Sequence, residues 1–119
     1  MQDFKNLKVW QKAHKLTLDI YIASRSFPKE ETYGLTSQIR RAAASIPANV
    51  AEGCCRFGDA ELARFLCIAA GSASELEYHI LLSKDLQYLN GPDYDNLTAQ
   101  IIEIKCMLIA FIKKLKVKG

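Results

Sequence analysis

Leu35, Ile39, Ala42, Ala43, Ile46 and Val50 recur at helical spacing through the stretch LTSQIRRAAASIPANVAEGCCRF. Only an α-helix brings residues three and four apart onto one face, so this run has to fold as an amphipathic helix. Its opposite side carries Ser37, Arg40, Arg41, Ala44 and Ala48, and is small and basic. Pro47 falls inside the pattern. It has no N–H for the carbonyl of Ala43 and its ring crowds that carbonyl, which predicts a kink. Gly53 is expected to end the helix, as a residue that tolerates positive φ.

Three more helices frame this one. Val9, Ala13, Leu16, Ile20 and Phe27 share a face and predict a first helix over Leu7–Ser26, stopped by Pro28. Thr32 or Thr36 is expected to cap the second helix after a short connection. The turn CCRFGD then leads to Asp59, expected to cap a third helix over Ala60–Leu89. The third helix is apolar most of the way round, from Leu62 and Phe65 to Leu86 and Leu89. Such a helix has to be covered on more than one side, which predicts a subunit interface, with close approach allowed by Ala69, Ala70, Gly71, Ser72 and Ala73. Asn90-Gly91-Pro92 is a stop signal. Asp93 or Asp95 is expected to cap a fourth helix to Lys116, with Leu97, Ile101, Ile104, Leu108, Phe111, Ile112 and Leu115 on its apolar face. Short connections make neighbours antiparallel. The fold class is therefore all-α: one domain over residues 1–119, an antiparallel up-and-down four-helix bundle with its second helix kinked at Pro47.

The chain has 119 residues, half of them apolar, enough for a real core. The N-terminus is charged and lacks the apolar core of a signal peptide. No run reaches the roughly 18 apolar residues of a membrane span. The expectation is a soluble, cytoplasmic protein. Cys54, Cys55, Cys67 and Cys106 form no C-x-x-C pair, and read as reduced thiols packed as small hydrophobes.

Net charge is +3, unevenly spread. Residues 1–29 carry six Lys/Arg against two acids, residues 30–92 five against eight, and residues 93–119 five against three. Basic ends around an acidic middle fit polyanion contact. Lys5, Lys8, Lys12 and Lys15 step along the first helix as a narrow stripe. It reads either as a phosphate grip or as the solvated edge of an amphipathic helix, and the lack of interleaved aromatics favours the edge. Lys113, Lys114, Lys116 and Lys118 complement the dipole at the last helix's C-terminus, and a nucleic-acid role is compatible with that.

Chemistry is harder to find. Glu75, Glu77 and His79 lack the Glu-x-x-His spacing, and the repetition, that a di-iron bundle requires. Glu52 and Glu75 are expected to pair with Arg40, Arg41 or Arg64 instead. Phosphate loops, G-x-S-x-G and H-E-x-x-H are all missing. No catalytic residue, metal or cofactor is expected, and the reading is not an enzyme.

Leu35–Gly53, L-T-S-Q-I-R-R-A-A-A-S-I-P-A-N-V-A-E-G, resembles the signature of small bacterial bundle proteins encoded in intervening sequences of 23S ribosomal RNA genes. F-L-C-I-A-A-G-S-A-S-E-L-E, Phe65–Glu77, is similar to that family's second signature, and F-K-N-L-K-V-W-Q-K-A, Phe4–Ala13, to its opening. The resemblance spans roughly residues 4–115, with vicinal Cys54-Cys55 as a local departure. It implies an up-and-down bundle assembled as a homopentamer, similar to the accessory proteins of diversity-generating retroelements, which bind a reverse transcriptase and nucleic acid. It implies no enzymatic activity. Arg40, Arg41, Pro47, Asn49, Glu52 and Gly53, as motif residues, read as structural or as part of a partner surface.

The leading expectation is thus a homo-oligomeric bundle that binds RNA. Its candidate nucleic-acid contacts are Lys5, Lys8, Lys12, Lys15, Arg40, Arg41, Lys113, Lys114 and Lys116. An oligomeric adaptor for a protein partner is the alternative. Neither needs a cofactor or a membrane.

Overall fold

The computed structural model describes the backbone of residues 3–118 and the side chains of residues 3–116. Four helices form: α1 (Lys8–Ala23), α2 (Leu35–Cys54), α3 (Asp59–Asp85) and α4 (Gly91–Lys118). Each packs on the next, and α4 returns to α1, so the four close into an antiparallel up-and-down bundle. The long axis extends 46 Å. The faces expected from spacing are the buried ones: Leu16, Ile20, Ile39, Ile46, Val50, Leu66, Leu76, Ile80, Ile101, Ile104 and Leu108 are all essentially inaccessible.

The helix ends differ from expectation, each for a local reason. α1 stops at Ala23, because residues Ser24–Ser26 tighten into a 3-10 turn before Pro28. Neither Thr32 nor Thr36 caps α2. Glu31 reaches forward instead, and its Oε1 accepts the Leu35 N–H at 3.0 Å. Its Oε2 accepts the Tyr88 O–H at 3.1 Å, tying the start of α2 to the segment beyond α3.

Asp59 is the first residue of α3 and not its cap. The cap is Gly58 at φ 88°, and Asp59 sits where a carboxylate complements the helix N-terminus. α3 ends at Asp85 and not near Leu89. The chain turns at Gln87, which adopts φ 67°. The Gln87 N–H donates to Lys84 O at 2.9 Å and the Tyr88 N–H to Ser83 O at 2.8 Å. That pair of bonds is a Schellman turn, a place that favours glycine. Gln87→Gly should therefore raise stability by roughly 0.5–1 kcal/mol, read as a higher urea midpoint at unchanged slope. At the start of α4, Asn90 is the cap, its Oδ1 accepting the Asp93 N–H at 2.7 Å; neither Asp93 nor Asp95 fills that role.

Gly53 does not end α2 through positive φ. The helix continues to Cys54, and Gly58 is the only described glycine in the positive-φ region. Gly53 is needed for proximity. A Cβ there would lie 2.9 Å from Leu62 Cδ1 and 3.0 Å from Phe65 Cβ, so α2 and α3 touch backbone to side chain at this level. Higher up the same seam, Ser45 Oγ and Ser72 Oγ share a hydrogen bond at 2.8 Å, and Ala69 and Ala73 are fully buried. Those small residues of α3 thus serve contacts inside the subunit, while Gly71 faces open space.

Pro47 is buried, and the helical assignment of α2 runs through it. The N–H that Pro47 lacks is replaced from another helix. Thr17 Oγ of α1 lies 3.1 Å from Ala43 O and 2.9 Å from Ala13 O, within donating distance of both. Ala13 O has its own helical donor in the Thr17 N–H, so Ala43 O is the acceptor that needs the hydroxyl.

Candidate nucleic-acid interface

Up-and-down topology fixes where the lysines fall. The N-terminus of α1 and the C-terminus of α4 lie at the same end of the bundle, so Lys5 and Lys8 share that end with Lys113, Lys114 and Lys116. All five are exposed. Asp3 stabilises the 3-10 turn Phe4–Asn6 by accepting the Lys5 N–H at 3.1 Å, which sets the chain entering α1.

Two of these lysines, Lys8 and Lys114, line an open groove of about 540 Å³. Leu7, Val9, Leu62, Met107, Phe111 and Leu115 give it apolar walls, and Lys8, Arg56, Lys114 and Asp59 are its charged groups. Gly53 and Cys54 also line it. The Cys54 thiol is 3% exposed, and burial pushes its pKa up, so it is a neutral thiol. Arg56 was missed by residue pattern. Its signal was its place in the turn between the second and third helices, which the bundle sets at this same end.

The other expected contacts are distributed differently. Lys12 pairs with Glu103 of α4 at 3.2 Å and Lys15 with Asp19 at 2.7 Å. Arg40 and Arg41 lie on α2 away from the lysine end. Arg40 is anchored: its Nε donates to Ser24 Oγ at 2.8 Å, a terminal N–H donates to Tyr21 O at 3.3 Å, and its guanidinium lies 4.8 Å from the Tyr21 ring centre. Arg41 is exposed beside a polar depression of α2 and α3 that Gln38, Glu75 and His79 also line. The structure thus gathers Lys5, Lys8, Lys113, Lys114 and Lys116, and leaves Lys12, Lys15, Arg40 and Arg41 apart from them.

The acids have other partners than expected. Glu52 meets Arg56 at 3.7 Å, Glu61 meets Arg64 at 3.1 Å, and Glu75 meets His79 Nε2 at 3.3 Å. Glu77 reaches Lys105 of α4 at 2.8 Å. Glu61–Arg64 and Glu75–His79 are pairs within α3, and Glu52 of α2 reaches Arg56 in the turn that follows it. Of the cysteines, Cys54 alone is packed as a small hydrophobe, while Cys55, Cys67 and Cys106 are exposed and free.

Asp19 joins the seam between α1 and α4 by accepting from Gln100 at 3.0 Å as well as from Lys15. Burial raises its pKa, but those two hydrogen bonds outweigh it and hold the carboxyl below its ordinary value. A lowered folded pKa contributes stability above the unfolded value, and that contribution fades as pH falls through the folded one. Asp19→Asn should therefore be less stable than the parent at pH 7, and the gap should narrow as pH falls below the ordinary aspartate value of about 3.9. Urea midpoints across that range check it.

Among the described residues no helix is long and apolar enough to cross a membrane. The family model of the 23S rRNA-intervening sequence protein matches residues 5–110. A solved structure of a protein of unknown function from the S23 ribosomal protein family of Bacteroides thetaiotaomicron is 27% identical, with a TM-score of 0.80. The match covers 88% of this chain and 98% of that one. No curated protein matches. The matched span takes in the second and third motif blocks, all but Phe4 of the opening one, and nearly the whole bundle, and on that ground the chain belongs to the 23S rRNA-intervening sequence protein family.

Proposed function

We propose that this chain is a non-enzymatic, homo-oligomeric bundle that binds RNA through the basic end of each subunit. The observation that carries the reading is the convergence of Lys5, Lys8, Lys113, Lys114 and Lys116 from two ends of the sequence onto one end of the fold. Such a cluster releases counterions from a phosphate backbone, which gives affinity with little sequence preference. No cofactor enters this reading. The free cysteines suit a reducing compartment such as the cytoplasm.

Oligomerisation is supported by small and apolar residues that the subunit leaves uncovered, among them Tyr78, Leu81, Ile102 and Ile109. On α3, Cys67, Gly71, Ser74, Tyr78 and Leu81 form an exposed stripe at helical spacing; on α4, Ile102, Cys106 and Ile109 do the same. Leu81 follows Glu77 by one turn, and Ile102 and Ile109 flank Lys105, so both stripes run beside the Glu77–Lys105 ion pair. A second copy of the chain is the occupant, with five copies closing a ring as in the proteins the sequence resembles.

RNA titrations at several salt concentrations test the function. The triple change of Lys8, Lys113 and Lys114 to Gln should flatten the log–log salt dependence by roughly two to three units. Lys29→Gln, at the far end of the bundle, should not. No RNA retained at low salt by the parent protein would overturn the reading. A protein partner that survives nuclease treatment would favour the adaptor function in its place.

A further inference from the structure

We infer that the groove at the lysine end binds a single-chain carboxylate amphiphile, with the acyl chain along its apolar walls and the carboxylate between Lys8 and Lys114. Three observations carry this. First, the walls are largely apolar, made by Leu7 just before α1, Leu62 of α3, and Met107, Phe111 and Leu115 of α4. Second, among the described residues the groove presents Lys8, Lys114 and Arg56 against the single carboxylate of Asp59. Arg56 is engaged by Glu52 at 3.7 Å and lies 5.0 Å from the Phe65 ring centre. Lys8 and Lys114 have no ion-pair partner within 4 Å among the described residues, so they are the pair that meets an anion.

Third, the size suits a small molecule. A volume of about 540 Å³ lies within the roughly 300–1,000 Å³ range of small-molecule sites. Met107 is an unbranched, adaptable wall that can close on a flexible chain. Cys54 at the base is a neutral thiol and adds no opposing charge. The inference does not rest on RNA binding, although it uses two of the same lysines.

The test uses the full chain, methyl-labelled at methionine, with sodium dodecanoate below its micelle concentration. Met107 is the one methionine of the groove, and its methyl resonance should shift saturably. Dodecanol has the same chain without the charge, and should bind up to about five-fold more weakly for each lysine contact it forgoes. Ala110 is exposed and lines the groove, so Ala110→Trp should fill it without overpacking the core. That variant should lose dodecanoate binding and keep RNA binding. The double change of Lys8 and Lys114 to Gln should weaken dodecanoate and leave dodecanol unchanged. An unmoved Met107 resonance, or equal binding by Ala110→Trp, would overturn the site. Equal affinity for dodecanol and dodecanoate would overturn the assignment of the carboxylate.

Discussion

Gly53→Ala should destabilise the protein by about 1–3 kcal/mol, and Gly71→Ala should stabilise the isolated subunit by up to about 1 kcal/mol. Both glycines lie inside helices, so alanine gains the same backbone entropy at each. The difference is what the new methyl meets. At Gly71 nothing lies within 4 Å. At Gly53 it meets Leu62 Cδ1 at 2.9 Å, which can swing aside, and Phe65 Cβ at 3.0 Å, which cannot move without the α3 backbone. Spreading α2 from α3 would loosen the most intimate seam of the bundle, and a larger residue at position 53 should cost more than alanine. Thermal midpoints should fall by about 4 °C or more per kcal/mol for a chain of this size. The contrast has a second use. If Gly71→Ala lowers stability in a concentration-dependent way, the bare patch on α3 is held by a neighbouring subunit and not by water.

The second large effect is expected where α1 donates to α2. Thr17→Val removes the hydroxyl that serves the Ala43 carbonyl, and an unserved buried acceptor costs about 1–3 kcal/mol. Pro47→Ala restores a backbone N–H in the register that Ala43 O requires. In that background Thr17→Val should cost less than about 0.5 kcal/mol, a coupling of 1 kcal/mol or more in a double-mutant cycle. Additive losses would mean that the carbonyl is served elsewhere, and that Thr17 contributes only packing. The Pro47 signature residue and the threonine of α1 are then two halves of one arrangement.

The core faces were legible because helical spacing is a direct consequence of 3.6 residues per turn, and Ile39, Ile46, Leu66 and Ile104 had no other side to occupy. The ends were not legible, since caps depend on which side chain arrives. Glu31 outcompeted two threonines by reaching the Leu35 N–H, and Gln87 took a left-handed position that no local residue type announced. Gly53 was read as a stop because a glycine required for close approach and one required for positive φ look alike in a sequence. At the basic end, the five lysines could be placed together once the helices alternated in direction. Arg40 could not be assigned, because its bonds to Ser24 and Tyr21 span α1 and α2. Lys12 and Glu103 likewise meet only after ninety residues of chain have folded around.

That last contact bears on kinetics. Three of the four seams join helices adjacent along the chain, and local pairings of that kind form quickly. The seam between α1 and α4 closes the whole loop and has to wait for the others. Its polar clasps, Lys12 to Glu103 and Asp19 to Gln100, belong to the native side of the barrier, so loosening them should hasten unfolding and leave the refolding rate nearly untouched.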